Sequence, residues 1–242
     1  MLGIGIYGAT YLVPVFLGRV RGYDSLQIGT TVVVTGVAQI MSVAVAARLS
    51  QKLDMRIMIT AGLGLFAASL WTTSHITPDW GFGALLLPQA LRGFATMLCI
   101  VPAVQMALFG FEGAELRYAS GLFNLMRNLG GAIGIAVVNT WLQDGARLQT
   151  ARFGETLGQN ARGAPDFLAG LAGRFARVTS DPAGAVALAR GEFGRLVARY
   201  ALTQAFDEVF RTMAWMFLIA LVMVPFCKPP RIGGPAPSPD AH

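Results

Sequence analysis

The feature that most constrains this chain is the length of its uncharged stretches. No charged residue occurs in Met1–Gly18, Ser25–Ala47, Ile57–Pro78 or Gly93–Phe111, nor in the shorter run Thr212–Cys227. About 18 or more consecutive apolar residues cross the hydrocarbon core of a bilayer as a helix, and the first four runs reach that length. Across the whole chain 54% of residues are hydrophobic and 13% charged, against roughly a quarter charged in a soluble domain. A soluble globule is excluded. The formal charge of +6 therefore points to no nucleic acid; the partner it implies is the lipid bilayer, where basic residues mostly set topology.

Cysteine and histidine narrow the chemistry. Cys99 and Cys227 lie far apart inside apolar runs, so neither a disulfide framework nor a ligand pair is expected. His75 and His242 are the two histidines, and no HExxH, CxxC or histidine cluster offers a metal site. No cofactor is expected. The first charge, Arg19, follows the apolar N-terminal stretch instead of preceding it, so that stretch reads as a span and not as a cleaved signal.

The expected architecture is an all-α integral membrane protein with six spans, near 1–18, 27–47, 57–75, 82–109, 118–143 and 207–227. Residues 1–143 then hold five transmembrane helices, 144–206 a long extracytoplasmic segment, 207–227 the sixth helix and 228–242 a disordered cytoplasmic tail. In the long segment Phe167, Leu168, Leu171 and Phe175 recur at helical spacing, as do Val186, Phe193, Val197 and Tyr200. Amphipathic helices lying against the membrane face would fit. Pro165 and Asp181-Pro182 read as helix starts. Arg48, Lys52, Arg56, Arg117, Lys228 and Arg231 fall on one side in short loops, against Arg19 and Arg21 on the other. The excess places 48–56, 110–117 and the C-terminus in the cytoplasm. The eight arginines of 144–206 fall on the outside, where a long segment is largely exempt from the rule.

Three stretches carry a family resemblance. ARLSQKLDMR after the second span resembles the loop signature of the major facilitator superfamily: a small residue, then x-L-x-D-R-x-G-x-R. ALLLPQALRGFATMLCIVP and ASGLFNLMRNLGGAIGIAVVN resemble consecutive spans near the end of the fourteen-span drug/proton antiporters of the EmrB/QacA type. TQAFDEVFRTMAWMFLIAL resembles that family's link into its last span. The resemblance covers essentially the whole chain. It implies the last six spans of that fold, a bacterial inner-membrane location, a small lipophilic substrate, and an N-terminal half supplied as missing sequence or as a second membrane chain. It also allows a periplasmic adaptor. Arg48, Gln51, Lys52 and Arg56 stand in the cytoplasmic loop motif. Two positions depart from the signature: Gln51 stands where Asp is usual and Asp54 where Gly is usual. The locking role that the Asp plays between helix ends is thereby put in doubt.

The polar residues within the spans are the candidate substrate pathway. In the fifth span Ser120, Asn124, Arg127, Asn128, Gly131 and Asn139 share one face, with Gly130 and Gly134 as a GxxxG pair on its flank. An arginine at membrane depth costs about 2.5–3.5 kcal/mol on insertion scales and so faces protein or water; the alternative is snorkelling to headgroups. The fourth span offers Gln89, Arg92, Thr96 and Cys99, and the second Thr31, Thr35, Gln39 and Ser42. Each side chain either lines a cavity or serves as hydrogen-bond glue between helices, worth under about 2 kcal/mol per contact. Tyr7, Tyr11 and Pro14 share a face of the first span. Gly3-Ile4-Gly5-Ile6-Tyr7-Gly8 matches GxGxxG, but no strand precedes it as a dinucleotide site requires, and close helix packing explains its small residues.

The leading expectation is the C-terminal part of a proton-coupled multidrug exporter working by alternating access, incomplete alone. No Asp or Glu occupies the middle of any span, and proton antiport wants an intramembrane carboxylate. The rival from another class is a truncated remnant or a non-transporting interaction subunit. An enzyme, such as an intramembrane serine protease built on Ser120, is disfavoured because His75 falls about a membrane thickness away, roughly 30 Å, beyond the hydrogen-bond reach of a nucleophile.

Overall fold

The computed structural model describes residues 2–159, 163–177 and 181–224. Among the described residues there are seven α-helices, α1 (Leu2–Phe16), α2 (Ser25–Leu49), α3 (Met55–Thr73), α4 (Phe82–Leu108), α5 (Gly113–Gln159), α6 (Gly163–Phe175) and α7 (Pro182–Met223), and no strand. Backbone polar groups in lipid must be satisfied within the segment, and helices achieve this. Among the described residues five helices are long and apolar enough to cross a membrane: α1 with its extension, α2, α3, α4 and α5. α7 is the sixth long helix; Asp207, Glu208 and Arg211 charge its stretch 207–224.

Local chemistry sets the helix ends. α1 widens into a π-helical turn, Leu17–Arg21, and stops at Gly22, whose φ of 67° is left-handed, a conformation that glycine adopts without a Cβ clash. Asp24 opens α2 through a capping box: its carboxylate accepts from Gln27 N at 2.8 Å while Gln27 Oε1 accepts from Asp24 N at 3.1 Å. Asp54 caps α3, accepting from Arg56 N at 3.0 Å. The residue that departs from the loop signature thus works as an N-cap here. Asp181 caps α7 with Pro182 at its first turn, as its sequence predicts.

α1 lies along α5 and α4 along α2, while α3 runs against both α4 and α7. Glycines permit the closest approaches. A Cβ on Gly134 would sit 2.5 Å from Ile4 Cα, one on Gly3 would sit 2.6 Å from the Arg127 carbonyl oxygen, and one on Gly93 would collide with the Thr35 carbonyl. The three glycines of the GxGxxG run therefore serve packing: Gly3 meets α5, Gly5 meets Phe217, and Gly8 meets Val138 and Met213. The core lies between α1, α3 and α7, where Phe66 stacks on Phe217 at 4.3 Å and Phe16 meets Phe206 edge-on at 5.4 Å.

The expected boundary at 143/144 is not a helix boundary. α5 continues to Gln159 and α7 begins at Pro182, 25 residues ahead of the expected start at 207. The segment 144–206 holds the C-terminal part of α5, the short helix α6 and the N-terminal part of α7. The charges at Asp144 and Arg147 read as a loop, but charge does not break a helix, and no proline interrupts α5. Gly145 sits against α7, where a Cβ would lie 3.3 Å from Ala205 Cβ. The predicted apolar positions meet each other across this hairpin, Phe167 of α6 and Phe193 of α7 at 5.7 Å. The tail 228–242, with Cys227, lies outside the described residues.

Candidate substrate cavity

Side chains from α1, α2, α4 and α5 line an open cavity of ≈ 620 Å³. Its polar lining is Tyr7, Thr10, Gln39, Thr96 and Arg127; Met97, Ile100, Phe123 and Met126 are among its apolar walls. Arg127 is half-buried, and its Nε is enclosed without a hydrogen-bond partner among the described residues. Among the described residues no carboxylate belongs to the lining. The cavity is thus amphipathic, with one guanidinium as its charge.

The remaining candidates divide by what they touch. Gln89 and Arg92 are buried, with 1% and 3% of their surface exposed, and they knit three helices together behind the cavity. Gln89 Nε2 donates to Thr31 O at 2.8 Å and its Oε1 accepts from Thr35 Oγ1 at 2.9 Å. Arg92 donates from Nη1 to Ala9 O at 3.1 Å and from Nη2 to Gln89 Oε1 at 3.2 Å and Thr35 Oγ1 at 3.3 Å. Ser42 adds a bond to Phe94 O at 2.7 Å. Burying an arginine in a membrane core is costly unless protein dipoles replace its water, and these carbonyl and hydroxyl oxygens do so.

On α5, Asn128 Oδ1 accepts from Tyr7 Oη at 3.1 Å and Asn139 Oδ1 from Tyr11 Oη at 3.2 Å. Asn124 is exposed and donates to Ser120 O of its own helix at 3.1 Å. Of the seven pathway candidates, Gln39 and Arg127 line the cavity; Gln89, Arg92, Asn128 and Asn139 bond helix to helix; Asn124 does neither. The tyrosine–asparagine pairs escaped sequence reasoning, although the signal was present. Tyr7 and Tyr11 fall one turn apart on a helix, and Asn128 and Asn139 lie three turns apart on another. The wall residues Met97, Ile100, Phe123 and Met126 carried no such signal, since apolar side chains are ordinary at membrane depth.

In the loop motif, Arg48 lies in the last turn of α2 and is exposed, as are Gln51 and Lys52 in the turn that follows. Arg56 is half-buried in the first turn of α3. This loop, with that between α4 and α5, forms the end of the bundle opposite the α5–α7 hairpin.

Comparison with known proteins gives this arrangement its relatives. The chain is 28% identical over 225 residues to the colistin resistance protein EmrB of Acinetobacter baumannii, covering 93% of this chain and 43% of that protein. It is 28% identical over 228 residues to the multidrug export protein EmrB of Escherichia coli, covering 93% and 42%. The fatty acid resistance protein FarB of Neisseria gonorrhoeae is 28% identical over 155 residues, 64% of this chain and 31% of that protein. The chain thus spans less than half the length of these relatives. The Major Facilitator Superfamily domain is matched over residues 1–135. With that match and its five apolar membrane-length helices, this chain is a multi-pass membrane protein that belongs to the Major Facilitator Superfamily.

Proposed function

We propose that the chain is the C-terminal half-bundle of a proton-coupled multidrug exporter of the bacterial inner membrane, working by alternating access and incomplete without an N-terminal half. One observation carries this reading: the amphipathic cavity opens beside helices whose apolar faces are bare. Val33, Val37, Ile40 and Met41 of α2 and Leu122, Leu125, Leu129 and Ile133 of α5 are exposed, and both helices contribute to the cavity wall. A second bundle packed on those faces would close the cavity into a midplane site. The relatives' names, multidrug export among them, support a small lipophilic cargo. In this reading the loop 50–54 is cytoplasmic, the hairpin projects outward, and a periplasmic adaptor would meet the hairpin. Arg127 and Gln39 contact cargo; the Arg92 and Asn139 networks hold the helices that carry them.

The test is drug accumulation in an efflux-deficient host expressing the chain alone and joined to an N-terminal portion of an EmrB-type protein. The proposal expects lowered accumulation only from the joined form. Equal accumulation in both, with both proteins present in the membrane, favours the rival reading of a non-transporting interaction subunit. The cavity's lack of a carboxylate is what lends that rival its weight.

A further inference from the structure

A second cleft, of ≈ 360 Å³, lies between the π-helical turn ending α1 and the stretch of α7 near its hairpin end, and shares no residue with the substrate cavity. Arg19, Arg195 and Arg199 rim it, with Glu192, above a floor that includes Val20 and Leu202. We propose that this cleft binds a phosphate anion, supplied by the phosphodiester of an anionic phospholipid or by free phosphate. The charge is unbalanced. Glu192 pairs with Arg195 at 3.5 Å, and Asp79 is shared by Arg21 at 3.7 Å and Arg199 at 3.6 Å. Arg19 makes no hydrogen bond or ion pair among the described residues. Four guanidinium groups therefore answer to two carboxylates. Arginine forks match the oxygens of a phosphate, which takes up such a surplus.

The position suits a headgroup. Arg19 follows directly on the uncharged stretch 1–18, which puts the arginine rim at the edge of the hydrocarbon layer. Val20 is buried and Leu202 packs on the core, so the floor is apolar where a glycerol and the first methylenes would lie. Arg199 is also braced, donating to Pro78 O at 2.7 Å, which fixes one wall of the cleft to the α3–α4 loop.

The test is native mass spectrometry of the purified chain, titrated with phosphatidylglycerol or with phosphatidylcholine of the same acyl chains, beside thermal shift with millimolar inorganic phosphate. Phosphatidylglycerol should bind more tightly, and Arg19→Gln with Arg195→Gln should weaken it about 25-fold, about fivefold per basic residue at a membrane surface. Glu192→Gln should tighten binding several-fold, and Arg48→Gln with Lys52→Gln, at the other end of the bundle, should change nothing. An arginine-dependent thermal shift with phosphate, without preference between the lipids, assigns the cleft to free phosphate. No preference and no shift overturns the proposal, as does a lipid preference that survives loss of both arginines. Should the double variant fail to fold, the wild-type preference and the Glu192→Gln shift decide alone.

Discussion

A Cβ on Gly134 would sit 2.5 Å from the backbone of Ile4, whereas one on Gly130 meets nothing nearer than Gly3 Cα at 4.0 Å. The GxxxG spacing makes the two glycines equivalent; the contact between α1 and α5 does not. Gly134→Ala should cost about 1–3 kcal/mol by forcing backbone apart in a packed interface, while Gly130→Ala should be near neutral. Thermal unfolding of the two variants in detergent measures the difference, and equal losses would refute the packing described. Arg127 supplies the second residue-scale prediction. In a complete transporter Arg127→Leu should abolish export with insertion intact, because removing the charge lowers the insertion cost. Arg127→Lys should also be badly impaired if the guanidinium fork holds partners in the cavity. Full export by the lysine variant would show instead a side chain that only reaches for headgroups. The sequence separated polar faces from apolar ones but not glue from lining. Gln39 and Gln89 are the same residue type within apolar spans, and helical spacing tells which face a side chain is on, not which neighbour covers it.

Four of the six expected spans match helices to within a few residues, since long uncharged runs bounded by charges leave little freedom. The caps were partly legible too: Asp181-Pro182 opens α7 as predicted. What escaped was the continuity of α5 and α7. At 1.5 Å per residue, the 47 residues of α5 extend about 70 Å, more than twice the roughly 30 Å hydrocarbon core. About half of that helix must project from the membrane. Hydropathy registers the projecting part as a change of medium and cannot distinguish it from a loop. Continuity is testable with Gly145→Pro, which removes one backbone bond and clashes with the preceding turn at a cost of about 3 kcal/mol or more. Limited proteolysis of proteoliposomes should then cut within the hairpin of the variant and spare the parent. Indifference to the proline would favour separate surface helices. Cysteines placed at Gln51 and Glu155, in a background lacking Cys99 and Cys227, should label from opposite sides of the membrane. Same-side labelling would overturn the three crossings between them.

At the scale of the whole molecule the helix pairing relates the first three long helices to the last three. α1 rests on α5, α4 rests on α2, and α3 meets α7. Between α3 and α7, Phe66 meets Phe217 and Trp71 meets Trp215, the latter at 6.0 Å. Trp71 and Trp215 are both exposed. Asp207 and Glu208 lie two turns beyond that level toward the hairpin, where Glu208 accepts from Gln149 at 2.7 Å. Among the described residues no carboxylate reaches the cavity, and the guanidinium of Arg127 is the only charge in its lining. A proton-coupled cycle needs a group at the cavity that exchanges protons near neutral pH, and arginine does not. The chain reconstituted alone should accordingly show no dye export driven by a pH gradient, while its union with an N-terminal half should restore it. Gradient-driven export by the purified chain would refute the half-bundle reading, and Asp207→Asn and Glu208→Gln would then be the variants that locate the proton carrier.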